Sequence, residues 1–310
     1  MASEAQRLWP ILALLLNALT WGLAWWPLRR LQASGLHPLW ATVLIYGLAL
    51  VALTLWRPQA WRALWRERAL WWLVLASGTT NACFNWGVTS GDVVRVVLLF
   101  YLMPLWAALL ARPLLGEVLG AAQIARAGLA LAGAAVVLWP SGDSGAPGAS
   151  AGSRIEGIQA LLGDLPLPHT PAEWLGLLGG FSFALNNVLL RREAGSQPAA
   201  RALAMFLGGA AVSLVLGWVL GAQGRVPWPP APAAGWVVLA CALAGVFLCG
   251  NLALQFGAVR LPASVTAVVM VSEVLFASGS AVVLGAATLT PALLLGALLI
   301  VGATWLSQRA

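Results

Sequence analysis

The sequence contains no lysine; all 17 of its basic residues are arginine. No side chain can therefore hold retinal as a Schiff base, which excludes a rhodopsin-like pigment. Charge of either sign is scarce: 9% of the residues are charged, against about 25% in a soluble globular protein. Histidine occurs twice, at His37 and His169, both in expected loops. There is no His-Glu-x-x-His metal motif, no Ser–His pair in an apolar run, no aspartate dyad and no phosphate-binding loop. An enzyme or an ATP-driven pump is therefore not expected, and no cofactor is implied. The three cysteines, Cys83, Cys241 and Cys249, lie in apolar segments at spacings that fit neither zinc nor disulfides. They read as small buried residues.

What the chain has instead is apolar length: 61% of its residues are hydrophobic. Runs of about 20 apolar residues recur, each long enough to cross a hydrocarbon core about 30 Å thick. Ten spanning helices are expected, near 8–28, 38–56, 70–90, 93–111, 121–139, 173–192, 199–220, 234–256, 263–285 and 290–307. The first apolar run is too long for a cleaved leader and lacks a cleavage site, so it reads as the first span. Helices are expected because spanning backbone must satisfy its own hydrogen bonds and the alternation of a barrel is absent. Alternate loops face opposite sides, and 12 of the 17 arginines fall in one set, which includes both termini. The positive-inside rule puts that set in the cytoplasm. The arginines lie between spans rather than on one face, so nucleic acid is not an expected partner; the partners are the bilayer and a small molecule. Tryptophans near span ends, such as Trp9, Trp56, Trp72, Trp139 and Trp218, read as interfacial belts. Trp61 and Trp65 beside Arg62 and Arg66 suggest a short in-plane helix.

The chain also resembles itself. Asn81-Ala-Cys-Phe-Asn85-Trp86-Gly87 matches Asn251-Leu-Ala-Leu-Gln255-Phe256-Gly257 at a shift of 170 residues, and Met103-Pro-Leu-Trp-Ala matches Glu273-Val-Leu-Phe-Ala at the same shift. Arg29-Arg30 and Arg191-Arg192 end the first and sixth spans. Five spans per half is an odd number, so the second half enters the membrane from the opposite side. Such inverted repeats are a transporter architecture, with substrate bound at mid-depth between the halves. The expected organisation is one repeat over 1–139, an external Gly/Ser/Pro/Ala-rich linker over 140–172, and a second, inverted repeat over 173–310.

The twin arginines, Leu102-Met-Pro-Leu-Trp-Ala-Ala-Leu-Leu followed by Leu115-Gly-Glu117, and the five-plus-five layout resemble the drug/metabolite transporter superfamily. Ser272-Glu273-Val274 stands where that superfamily often has Glu-Pro; the proline is missing here. Within it the chain is most similar to aromatic amino-acid exporters of the bacterial inner membrane. That resemblance implies broad-selectivity export of amino acids, with both termini cytoplasmic.

Polar groups in a bilayer are costly unless they face a cavity or a partner. The candidates for a cavity are Asn81 and Asn85 on one helix face, Asn251 and Gln255 on the matching face, Asn186 and Asn187 with Ser182, and Asn17. Their amides both donate and accept, which suits a zwitterion; the alternative is hydrogen bonding between helices. Trp21, Trp25, Tyr46, Trp86, Tyr101, Phe247 and Phe256 are the candidate aromatic walls, against plain core packing. Glu273 is the only carboxylate near the centre of a span. It would bind an ammonium group or a proton, or serve a structural hydrogen bond. The runner-up cargo is a drug-like cation, for which Glu273 would be indispensable, or another metabolite of the superfamily such as a nucleotide sugar, which would favour cationic residues deep in the cavity. Oligomeric state is not legible.

Overall fold

A computed structural model describes residues 4–91, 93–116, 120–138, 168, 170–284 and 291–308. Its helices are α1 (Glu4–Ala33), α2 (Pro38–Trp56), α3 (Ala60–Arg66), α4 (Leu70–Ser90), α5 (Val93–Phe100), α6 (Met103–Leu115) and α7 (Ala121–Leu138). They continue as α8 (Pro171–Arg192), α9 (Pro198–Ala222), α10 (Ala234–Ala258), α11 (Ala263–Met270), α12 (Glu273–Val283) and α13 (Pro291–Gln308). The protein is thus an all-α, multi-helix membrane protein. Five segments are each long and apolar enough to cross a bilayer: Leu8–Ala33, Pro38–Trp56, Pro198–Ala222, Ala234–Ala258 and Val265–Val283. The linker expected over 140–172 lies outside the described residues up to its last few positions, as do Asp92, Glu117, Trp139 and His169.

Local chemistry sets the helix starts. Pro38, Pro171 and Pro198 occupy first helical positions, where a missing N–H costs nothing. Thr170 Oγ1 accepts from the Glu173 amide at 3.3 Å, as in an N-cap. At α2 the cap is His37, whose Nδ1 accepts from the Leu39 amide at 3.2 Å. That ring stands edge-on to Trp86 at 5.4 Å, and burial lowers its pKa below the usual 6.5. The short helix expected near Trp61 is α3; Trp61 Nε1 ties it to Thr54 Oγ1 at 3.0 Å. After α8 the chain turns within 193–197, and the buried Arg201 guanidinium donates to the carbonyls of Glu193, Ala194 and Ser196.

Two expected helices are broken. The run 93–111 divides into α5 and α6 at Tyr101-Leu102, and 263–285 divides into α11 and α12 at Val271-Ser272. In the first, Pro104 has no amide hydrogen and its ring crowds the carbonyl four residues back, that of Phe100. In the second there is no proline. Val271 and Ser272 donate to Val268 and Val269, three residues back, and the Ser272 hydroxyl also donates to Val269 O at 2.7 Å. Such back-bonding loosens a helix. The breaks are 170 residues apart, the offset that relates Asn81 to Asn251.

Lipid gives helices no hydrophobic reason to associate, so close packing must hold them. α4 packs on α8 and α9, α1 on α10 and α12, α2 on α9, and α7 on α13. Glycine permits the closest approaches. A Cβ on Gly208 would lie 2.0 Å from Val74 O, and one on Gly180 would lie 2.2 Å from Phe100 O, the carbonyl at the first break. Gly87 and Gly257 are likewise close contacts, within unbroken helices. Gly128 and Gly302 face open space instead.

Candidate functional site

Seven helices each send one aromatic ring to a common centre, and the rings touch in series. Phe206 (α9) meets Tyr46 (α2) at 5.3 Å between centroids, Tyr46 meets Phe247 (α10) at 6.1 Å, and Phe247 meets Trp21 (α1) at 4.6 Å. Trp21 meets Phe84 (α4) at 5.7 Å, Phe84 meets Phe100 (α5) at 4.9 Å, and Phe100 meets Phe183 (α8) at 5.5 Å. Each spacing lies in the range of favourable aromatic pairs. The collar borders a pocket whose other walls carry Ser77, Thr80, Asn81, Asn186, Asn251 and Glu273. As it stands the cavity opens to about 30 Å³ of water-centre volume, room for about two waters. A larger ligand requires the rings to part.

The polar walls differ in how they are held. Asn81 accepts from the Tyr46 hydroxyl and donates to Ser77 O at 2.7 Å and Ser77 Oγ at 3.2 Å. Asn251 donates to Met205 Sδ at 3.4 Å, and its side-chain amide meets that of Gln255 at 2.8 Å. Asn186 is 1% exposed, yet neither atom of its amide has a partner. Burial without a partner is costly, so this amide is free to bind a ligand. Glu273 begins α12, beside the second break, and its carboxyl group faces Tyr101 at the first. It is the only charged side chain lining the pocket among the described residues.

Of the sixteen candidates named from sequence, the fold gathers seven at the pocket: Trp21, Tyr46, Asn81, Asn186, Phe247, Asn251 and Glu273. The other nine sit elsewhere. Asn17 donates across to Gly250 O at 2.8 Å, Asn85 to Thr42 Oγ1 at 2.8 Å, and Trp25 to Ser280 Oγ at 3.0 Å. These are bonds between helices. Gln255 braces Asn251 from behind, Trp86 packs on His37, and Tyr101 stands behind Glu273. Ser182 and Asn187 are buried outside the lining. Phe256 is 41% exposed, with the Arg260 guanidinium 3.8 Å above its ring. Sequence reading missed Ser77, Thr80, Phe84, Phe100, Phe183, Met205, Phe206 and Leu254. One signal for three of them was present. At the shift of 170, Ser77, Asn81 and Phe84 correspond to Phe247, Asn251 and Leu254, and all six line the pocket.

Two arginines close opposite ends of the molecule. Arg29 Nη2, near the end of α1, donates to Gly91 O at 3.4 Å, beyond α4. Arg191 Nη1, near the end of α8, donates to Val259 O at 2.6 Å, beyond α10.

A solved crystal structure of a protein has the same fold, with a TM-score of 0.68 over 96% of this chain and 95% of its own. At 19% identity that likeness extends to fold alone. No curated protein matches the chain. The EamA-like transporter family model matches residues 8–139, which include the α4 wall of the pocket and both sides of the first helix break. Over those residues the chain is similar to the EamA-like transporter family.

Proposed function

We propose that this protein exports neutral amino acids, aromatic ones included, through the collared pocket by alternating access. The observation that carries the reading is the pairing of seven rings with amides and one carboxyl group. The rings suit an apolar side chain. Asn186 and Asn251 can donate to a carboxylate, and Glu273 can receive an ammonium group. The same reading takes the chain as ten spans in two inverted halves, 1–139 and 173–310, joined by an external linker over 140–172. Support comes from the two breaks and the lining residues, which recur at one offset, and from the exchange of partners: α1 packs on α10 as α8 packs on α4. The arginine distribution supports cytoplasmic termini in a bacterial inner membrane.

Counterflow of radiolabelled phenylalanine, tryptophan, threonine and methionine in proteoliposomes is the test. Exchange of at least one is expected, with competition from the others. Absence of exchange for every amino acid would remove the cargo and leave the fold untouched. One observation favours the second cargo, a drug-like cation: no cationic side chain among the described residues lines the pocket to meet a carboxylate. Cysteine labelling that finds the two termini on opposite sides would overturn the ten-span topology.

A further inference from the structure

We propose that the membrane face between α1, α10 and α12 holds one anionic phospholipid, its acyl chain in a groove behind Phe247 and its phosphate on Arg30. The site goes beyond the transport reading and does not depend on which cargo the central pocket takes.

The groove begins where the small residues stop. Near the middle of α1, Asn17 donates to Gly250 O at 2.8 Å, and a Cβ on Gly250 would lie 3.0 Å from the Thr20 methyl. α1 is drawn against α12 by Gly22, on which a Cβ would lie 2.6 Å from Phe276 Cβ, and by the bond from Trp25 Nε1 to Ser280 Oγ. Toward the end of α1, α10 presents Leu239, Leu243 and Val246 to Leu23, Trp26 and Pro27. A cavity of about 350 Å³ stands there, with Ser280 and Leu284 on its third side.

The chemistry of the groove selects hydrocarbon. Two hydroxyls line it, and both are already engaged. Thr20 donates to Leu16 O at 3.0 Å; Ser280 donates to Ala277 O at 2.9 Å while accepting from Trp25. No ionisable side chain is in the lining. A zwitterion or a sugar would lose its hydration there without replacement, and an apolar cavity does not hold water. Leu23, Val246 and Leu284 are exposed at the mouth, where a membrane presents acyl chains. The length fits as well. From Leu239 to Phe247 a helix rises about 12 Å, most of the roughly 15 Å of hydrocarbon in one leaflet.

The headgroup end carries positive charge. Arg30 is exposed, and its guanidinium lies 4.1 Å from the ring of Trp26, which lines the groove. α10 has no acidic residue, α1 has none after Glu4, and the one in α12 is Glu273 at its far end. A guanidinium so placed meets a phosphate in the fork geometry that suits it. The tail end meets the transport pocket. Phe247 borders both cavities. It packs on Trp21 at 4.6 Å in the collar, and the groove lies behind it. A chain seated to full depth therefore props the ring in the closed collar and fills the space into which the ring would retreat.

The test places the purified full-length protein in phosphatidylcholine liposomes with a trace of phosphatidylglycerol carrying a diazirine at the end of one acyl chain. A parallel sample carries the same chain on phosphatidylcholine. After irradiation, mass spectrometry locates the labelled residues. The exposed face of α9 at Val215 and Trp218 meets lipid outside the groove and serves as the internal reference. Labelling should concentrate at Val246 and Phe247 on α10 and at Thr20 and Ala24 on α1, several-fold above the α9 face. Phosphatidylglycerol should exceed phosphatidylcholine by about fivefold, the share of one arginine near an anionic lipid. Arg30→Gln should bring the two lipids to parity without moving the labelled residues. Ala242→Trp, which fills the groove from its wall, should lower groove labelling to that of the α9 face. Wild-type labelling no stronger in the groove than on α9 is ordinary lipid solvation and overturns the site. Equal labelling by the two headgroups, or a preference that survives Arg30→Gln, overturns the anionic lipid as its occupant. The wild-type map decides the site even where Ala242→Trp fails to fold, and cargo binding enters none of these readouts.

Discussion

The α4 wall and the α10 wall of the pocket are built on one frame and finished differently. Asn81 and Asn251 occupy corresponding places, and so do Phe84 and Leu254. Yet Ser77 and Thr80 make the α4 wall polar, where α10 has Phe247 and Gly250. Asn81 is locked by three hydrogen bonds within the polar wall, while Asn251 rests on a methionine sulfur and on Gln255. The breaks differ in the same way. Pro104 follows the first, and Glu273 follows the second. The two walls thus differ in hold: α4 keeps its amide in three hydrogen bonds, while the pocket's carboxyl group among the described residues comes from α12.

The largest effect expected from breaking this comparison is on the shared frame itself. Gly180→Leu drives a side chain into Phe100 O, and overpacking costs about 1–3 kcal/mol or more; Gly128→Leu meets open space. Thermal unfolding followed by tryptophan fluorescence should show a clear loss for the first and little change for the second. An equal response would mean that the close approach is not what holds α8 on α5.

Next in size is the contrast between the walls. Asn81→Ala leaves the Tyr46 hydroxyl and Ser77 without their partner, worth about 1–3 kcal/mol, or roughly 5–150-fold in cargo affinity when that energy is spent on ordering the pocket. Asn251→Ala loses a weaker set and should cost several-fold less. Equilibrium binding to both variants checks the order, and a larger loss at Asn251 would reverse the assignment of roles.

The two arginine contacts should differ less. Arg191→Gln removes a part-buried bond of 2.6 Å and Arg29→Gln an exposed one of 3.4 Å. Exposed contacts of this kind are worth about 0–1 kcal/mol, so transport should change a few-fold for the first and barely for the second.

The smallest effect expected is at His37. Its neutral ring caps α2, and burial lowers its pKa from 6.5. The folded state therefore binds this proton less readily than the unfolded one, so the stability it contributes is present above pH 6.5 and is lost as pH falls through the lowered value. The melting temperature should drop slightly on acidification, and less so in His37→Asn, which keeps a capping acceptor without titrating.

Much of this protein is written in stretches of about 20 residues. Apolar length made the helices at Pro38–Trp56 and Pro198–Ala222 legible almost to the residue, because a bilayer demands it locally. The offset of 170 was legible too, in the Asn81 and Asn251 segments. The breaks at Tyr101 and Val271 were not read from apolar length, since a broken span is as hydrophobic as a straight one. Nor did sequence separate Asn81 from Asn85, or Asn251 from Gln255. Residues four apart share a helix face, and a rotation of a few tens of degrees decides which one reaches a cavity.

The sequence by itself determined that the chain is rich in membrane-length apolar runs, where the five long apolar helices lie, and that short segments around Asn81 and Asn251 correspond, because these follow from composition and short-range pattern. Only the tertiary structure decided that seven rings from seven helices meet, that Asn17, Asn85 and Trp25 join helices instead of lining the pocket, and that Glu273 faces Tyr101. Those are contacts between residues up to 255 positions apart, and they depend on how helices turn about their axes when small residues let them close.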